Sequence, residues 1–167
     1  MRKLFLFFLF FLFLLIPTLS SAQYEVPDPK GFMGYNWDTN FETISNVKIL
    51  KWSSSDRFGQ KMYLSYTDTK EIYEKKHALQ YTNPDDLTVL CFYYFTDEKL
   101  SKGSLVFKNK PDFNDYLEFL ITTLGKPDFV RKDGSHLWIS KSSLISANPA
   151  TSSLGGTVNF VGSRISK

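Results

Sequence analysis

The chain is 167 residues long and carries 20 basic and 17 acidic residues, which gives a formal net charge of +3. Its length fits one domain that is large enough to bury its own core. The net charge is too small for the basic stripe of a nucleic-acid-binding protein, so we expect no nucleic-acid partner.

The first residues have the layout of an export signal. Two positive charges precede an unbroken apolar run over residues 4–16. This run is too short to cross a bilayer, which needs about 20 apolar residues. Small residues at Ser20 and Ala22 stand third and first before a cut, as signal peptidase requires. We therefore predict a signal peptide over residues 1–22, cleaved between Ala22 and Gln23.

The mature protein is expected to be periplasmic or extracellular, with export of the bacterial type. Loss of Arg2 and Lys3 reduces the 20 basic residues to 18, against 17 acidic ones. Cys91 is the only cysteine, so the cleaved start has no thiol for a lipid and the chain forms no internal disulfide. We expect no membrane anchor after cleavage and no disulfide-linked partner. The absence of any Asn-x-Ser/Thr site also favours a bacterial source.

After the signal, the sequence predicts a lead-in and one domain. Residues 23–36 contain two prolines and two glycines without helical periodicity, which predicts an extended lead-in before a single α+β domain over residues 37–167. Thr39 and Glu42 have the spacing of a capping box in which Thr39 is the capping residue. They predict a short helix over residues 40–47. Its expected buried face consists of Phe41, Ile44 and Val47.

Between residues 48 and 107 the periodicity becomes that of antiparallel strands. In the clearest strand, residues 87–95, neither face is polar. This predicts a central strand, covered on both sides or covered on one side with aromatic contacts on the other. A turn at residues 96–99 predicts a hairpin with residues 100–107. Residues 69–80 fit either a polar helix or an exposed edge strand.

A second helix is predicted over residues 112–124, because apolar residues recur at i, i+4, i+7, i+8 and i+11. Pro111 stands near its start and Gly125 just past its end, as is typical of helix boundaries. The predicted buried stripe consists of Phe113, Leu117, Leu120, Ile121 and Leu124.

The remaining residues predict two more pairs of strands. Asp133 and Gly134, between apolar segments, predict a two-residue hairpin turn in which both residues have positive φ. Residues 143–147 and 157–162 predict a further pair. The order of helix, strands, helix and strands predicts an α+β fold, mainly an antiparallel sheet of several hairpins with two helices packed on it.

The start of the mature chain resembles a group of small exported bacterial proteins of unknown function, whose pattern is Phe-x-Gly-x-x-Trp-Gly-Thr. The resemblance is carried by Met33-Gly34-Tyr35-Asn36-Trp37-Asp38-Thr39 and, later, by Tyr93-Tyr94-Phe95 with Leu100, Leu124-Gly125-Lys126-Pro127 and Trp138. Asp38 stands in place of the usual glycine and Met33 in place of the aromatic residue. The resemblance implies a periplasmic α+β domain and supplies no activity.

Few residues lie in a pattern that is typical of a catalytic or metal-binding site. His77, His136 and Cys91 are not closely paired, so we predict no metal site. Cys91 lies in the most apolar strand, which predicts a buried thiol and not a nucleophile. Gly134-Ser135-His136 fits a turn and lacks the strand-to-helix elbow of a serine hydrolase. We predict no catalytic, metal-binding or cofactor-binding residues and no cofactor.

The aromatic content suggests binding. Three tryptophans and nine tyrosines exceed what a core of this size needs, and both residue types favour recognition surfaces. Cross-strand aromatic packing is the competing interpretation. We hypothesise a non-enzymatic module that binds an unknown protein, peptide or cell-envelope component. The candidate partner-binding residues are Tyr35, Trp37, Trp52 and Trp138.

Two other functions stay open. A small hydrolase would use carboxylates in turns and would place two of them about 5–9 Å apart in a cleft. The turn carboxylates are Asp85, Asp86, Asp97 and Glu98. A carrier of apolar ligands would instead enclose a pocket of about 300 Å³ or more between helix and sheet.

Overall fold

A computed structural model describes residues 29–56, 59–70, 88–150 and 155–163. These residues confirm the α+β fold and its mainly antiparallel sheet. The strands are β1 Gly31–Phe32, β2 Tyr35–Asn36, β3 Leu50–Ser55, β4 Lys61–Ser65, β5 Val89–Thr96, β6 Lys99–Phe107, β7 Phe129–Val130, β8 His136–Ile139, β9 Ser143–Pro149 and β10 Gly156–Gly162. The helices with complete bounds are α1 Phe41–Val47 and α2 Lys110–Leu124.

Eight strands form one sheet in the order β3-β4-β5-β6-β10-β9-β8-β7, and β1 pairs only with β2. Every neighbouring pair is antiparallel. The sheet is therefore two four-stranded meanders, each preceded by a helix, joined where β6 pairs with β10. The predicted hairpin of β5 with β6 is confirmed, as is the pairing of β9 with β10.

Both helices lie on the same face of the sheet, called here the covered face. The Phe41 ring of α1 contacts the rings of Tyr63 and Phe95, while Phe113 of α2 contacts Phe107. Strand β5 is central and alternates between fully buried and half-buried side chains. The buried set on β5 is Val89, Cys91, Tyr93 and Phe95, which the helices cover.

The helix predictions were right in position and partly wrong in detail. The capping residue of α1 is Asn40, whose side chain accepts from the Glu42 N–H at 3.0 Å. Thr39 instead donates to the Asn36 carbonyl at 2.7 Å, because the chain enters the helix one residue later than predicted. Val47 and Ile121 are exposed, since each helix has only its central stripe against the sheet.

Two further predictions concern segments that connect strands. The connection between β7 and β8 is longer than a two-residue turn: Arg131 N–H donates to Ser135, and only Gly134 of the predicted pair has positive φ. The Asp133 carboxylate accepts from the Ser135 N–H, which fixes this wider turn. Residues 66–70 are helical, and residues 71–80 of the ambiguous segment lie outside the described residues.

The lead-in is more than an extended surface segment, because β1 and β2 form a hairpin that packs on the covered face. Phe32 is buried against the rings of Tyr93 and Phe160, directly over Gly103 of β6. Counted back from Gly34 and Trp37, the aromatic residue of the family-like pattern falls on Phe32. Met33 is therefore not the departure from that pattern that we first expected.

Asp38, which stands at a glycine position of the pattern, has a φ of 65°. That backbone region costs most side chains about 1–2 kcal/mol, and aspartate tolerates it better than alanine does. We expect Asp38→Ala to be about 1 kcal/mol less stable than Asp38→Gly, as measured by urea unfolding. Equal stability of the two variants would contradict this account of the turn.

Candidate binding surface

The face of the sheet opposite the helices, called here the open face, carries three rows of side chains in register across the strands. Row one is Met62, Tyr94, Lys102, Val161, Leu144 and Ile139. Row two is Leu64, Phe92, Ser104, Asn159, Ser146 and Leu137. Row three is Leu90, Val106, Thr157 and Asn148. All these side chains except that of Ser104 are half-buried or exposed.

The open face is strongly apolar at its two sides. Around β4 and β5 it presents aromatic, methionine and leucine side chains, and around β8 and β9 it presents aliphatic ones. Ile139 and Leu144 form a cross-strand pair with 49% and 37% of their surface exposed. Exposed apolar side chains grouped in this way often mark sites of interaction.

A polar ladder crosses the middle of the open face. Ser104 donates to the Asn159 amide oxygen at 2.7 Å, and the Ser146 hydroxyl accepts from Asn148 at 3.1 Å. The polar groups at the centre therefore already have hydrogen-bond partners within the sheet. Covering them costs less than covering unpaired polar groups would.

Lys102 is the charged residue in the middle of row one. Its ammonium lies 4.5 Å from the centroid of the Tyr94 ring, a cation–π contact. Partial burial lowers the pKa of Lys102, and the smaller effect of Asp56 opposes that shift. Burial also raises the pKa of Tyr94. The centre of the open face is thus a partly desolvated cation.

The four aromatic residues predicted to bind a partner do not lie on the open face. Trp138 is 1% exposed and donates from its indole N–H to the Gly125 carbonyl at 2.9 Å, so it fastens the end of α2 to β8. Trp138 therefore belongs to the core and not to a surface, contrary to what we predicted from the sequence. Trp52 is 53% exposed at the β3 edge, where its ring contacts Tyr63 on the covered face.

Trp37 and Tyr35 attach the lead-in to the sheet. The Trp37 indole N–H is shared between the Ser143 hydroxyl at 2.8 Å and the Pro29 carbonyl at 3.1 Å. The half-buried Tyr35 ring lies 5.3 Å from the Lys48 ammonium. Both aromatic residues therefore have contacts within the chain that explain their presence.

A buried polar cluster lies on the covered face, next to the C-terminal end of α1. The Asp68 carboxylate pairs with Lys48 and accepts hydrogen bonds from Tyr93 at 2.6 Å and Ser65 at 2.8 Å. Burial, followed by the neighbouring Cys91 and Asp68, raises the pKa of the Tyr93 hydroxyl, which stays neutral. Both carboxylate oxygens of Asp68 therefore have partners, as a buried structural ion pair requires.

Cys91 is fully buried next to this cluster, as its apolar strand predicts. Burial raises the pKa of the thiol well above its ordinary value, and Asp68 adds to the rise. We expect no reaction of the folded protein with a water-soluble disulfide reagent at about pH 8, because the thiolate is the reactive form. The urea-unfolded chain is the control and should react fully. Rapid labelling of the folded protein would show that Cys91 is accessible.

Two of the described residues that were considered for catalysis have contacts that explain their positions. The His136 ring nitrogen Nδ1 lies 2.8 Å from the Gly134 carbonyl, and Glu98 is ion-paired with Lys61 at the surface. Within the described part of the chain, no group of three or more His, Cys, Asp or Glu side chains is placed to hold a metal ion. His77, Asp85 and Asp86 lie outside the described residues.

A small recess lies beside Trp37. It holds about 190 Å³ of empty space, open solvent included, and only about 10 Å³ admits the centre of a water molecule. A carrier site is typically about 300 Å³ or larger, so this recess does not favour that function.

The four predicted binding residues were chosen by residue type, which does not indicate the face of the sheet on which a side chain lies. The open face was therefore not predicted. A signal was present in β5, which is apolar on both faces although α1 and α2 cover only one of them. Alternate residues of such a strand must be buried by something else or remain exposed.

Within the described residues, no helix combines the length and apolar character needed to cross a membrane. Comparison of the chain with protein-family models, with curated proteins and with solved structures found no match.

Proposed function

We propose that the mature chain is an exported, non-enzymatic module that binds a protein through the open face of its sheet. One observation supports this most: opposite α1 and α2, three registered rows of side chains are apolar at the two sides of the sheet and hydrogen-bonded at its centre. The shape favours a protein over a small ligand, since the surface is a sheet face and not a cleft.

The size of the open face also supports a protein partner. The rows of the open face cross six strands, which lie about 4.8 Å apart and span about 24 Å, and a seven-residue strand spans about 23 Å. The product, roughly 550 Å², is below the ~800 Å² that each partner contributes to a standard interface and fits the smaller interfaces of transient complexes.

Export is part of the proposal and rests on the N-terminal residues. Expression of the full chain in a bacterial host should give a mature protein that begins at Gln23, as read by N-terminal sequencing of the periplasmic fraction or medium. Retention of the intact chain in the membrane would contradict cleavage.

Affinity capture tests the binding surface. Purified protein starting at Gln23 is immobilised and incubated with an envelope extract of the producing organism at near-physiological salt. We expect a retained protein that is lost with Leu144→Asp and with Ile139→Asp, because each change places a charge in the apolar interface. Retention should survive Phe119→Asp, a matched change at a 53% exposed residue of α2. Equal retention by all three variants would contradict binding through the open face.

A further inference from the structure

We propose that the protein partner of the open face presents a carboxylate at the centre of its interface, ringed by apolar side chains, and that this carboxylate pairs with Lys102. The inference rests on the proposed function and specifies the chemistry of the partner.

Lys102 lies at the centre of the open face. It lies on β6, one of the two central strands, between Tyr94 on β5 and Val161 on β10. Any partner that covers both sides of the face must also cover this side chain. Its ammonium already rests on the Tyr94 ring and has lost part of its contact with water.

Lys102 needs a counter-charge when a partner covers it. Lys102 has no carboxylate within ion-pair distance among the described residues. Asp56 acts on it from a distance and accepts the Gln60 N–H in the turn after β3. A partner that buried Lys102 against apolar atoms alone would leave an unpaired charge, which strongly opposes association. A carboxylate on the partner removes that cost.

The same argument disfavours a second copy as the partner. The three rows of the open face contain no aspartate or glutamate among the described residues, so two copies packed face to face would bury two unpaired lysines. A different protein, with an acidic residue in an otherwise apolar patch, fits the face better.

Substitution of Lys102 tests the proposal, with the envelope extract as the probe and the amount of retained protein as the readout. Lys102→Arg keeps the charge, and we expect retention within about twofold of the original. Lys102→Met keeps an apolar stem and should lower retention about tenfold or more, because the partner's carboxylate loses its counter-charge. Lys102→Glu should abolish it. Lys126→Met, at an exposed residue after α2, controls for the loss of a lysine elsewhere.

The outcomes separate this proposal from the one on which it rests. Equal or greater retention by Lys102→Met, with Lys102→Glu no worse than Lys102→Met, would overturn the carboxylate while leaving the open face as the binding surface. Retention unaffected by Leu144→Asp, or no retention at all, would overturn both. Thermal unfolding of each variant is measured as the folding control. A folded variant that loses retention has lost an interface contact and not its structure.

Discussion

Replacing Asp68 with alanine is expected to lower the free energy of unfolding by about 3–5 kcal/mol. Asp68 is fully buried, and its loss leaves the largely buried Lys48 ammonium without its counter-charge. Tyr93 and Ser65 lose an acceptor at the same time. Each of these groups is held where water cannot readily replace the missing partner, so the penalties combine.

A surface ion pair of the same protein is the matched control. Lys61 and Glu98 have side chains that are 44% and 48% exposed, and water screens a pair of this kind so strongly that it adds little to stability. Urea unfolding followed by tryptophan fluorescence should therefore show a much larger loss for Asp68→Ala than for Lys61→Met. Similar losses for the two variants would mean that the buried cluster does not hold the covered face together.

Gly103→Ala is expected to cost about 3 kcal/mol or more, the second large effect. A Cβ atom at Gly103 would lie 2.2 Å from atoms of the Phe32 ring, so the ring must leave its buried site. Displacing a buried phenylalanine costs about as much as truncating it. The β1–β2 hairpin should then detach and become sensitive to limited proteolysis near residues 29–36.

A double-mutant cycle tests that explanation. In a Phe32→Ala background the space over Gly103 is empty, so the added methyl group of Gly103→Ala should cost far less than it does in the original protein. Additive losses would show that Gly103 is needed for the strand itself and not for the approach of Phe32.

The sequence predicts those features that depend on local periodicity. The stripe from Phe113 to Leu124 places α2 correctly, and the turn at Asp97 and Glu98 produces the β5–β6 hairpin. Both residues of that turn have positive φ, as a tight hairpin requires. Such signals lie within a few residues of the structure that they determine.

The sequence does not reveal features that depend on distant contacts. The pairing of β6 with β10 joins segments about 55 residues apart, as the hydrogen bond of Ser104 with Asn159 shows, and nothing local marks it. The open face follows from that pairing, because its three rows exist only when the two meanders lie side by side. For the same reason Trp138 could not be placed in the core before the path from α2 to β8 was known.

Photo-cross-linking from the open face tests the central claim most directly. A photoreactive phenylalanine analogue is incorporated at position 144 and, separately, at position 119, and the cells of the producing organism are irradiated. If the open face binds a protein, position 144 gives one discrete adduct and position 119 on α2 does not. Adducts of equal yield from both positions, or an adduct from position 119 alone, would contradict a binding function for this face.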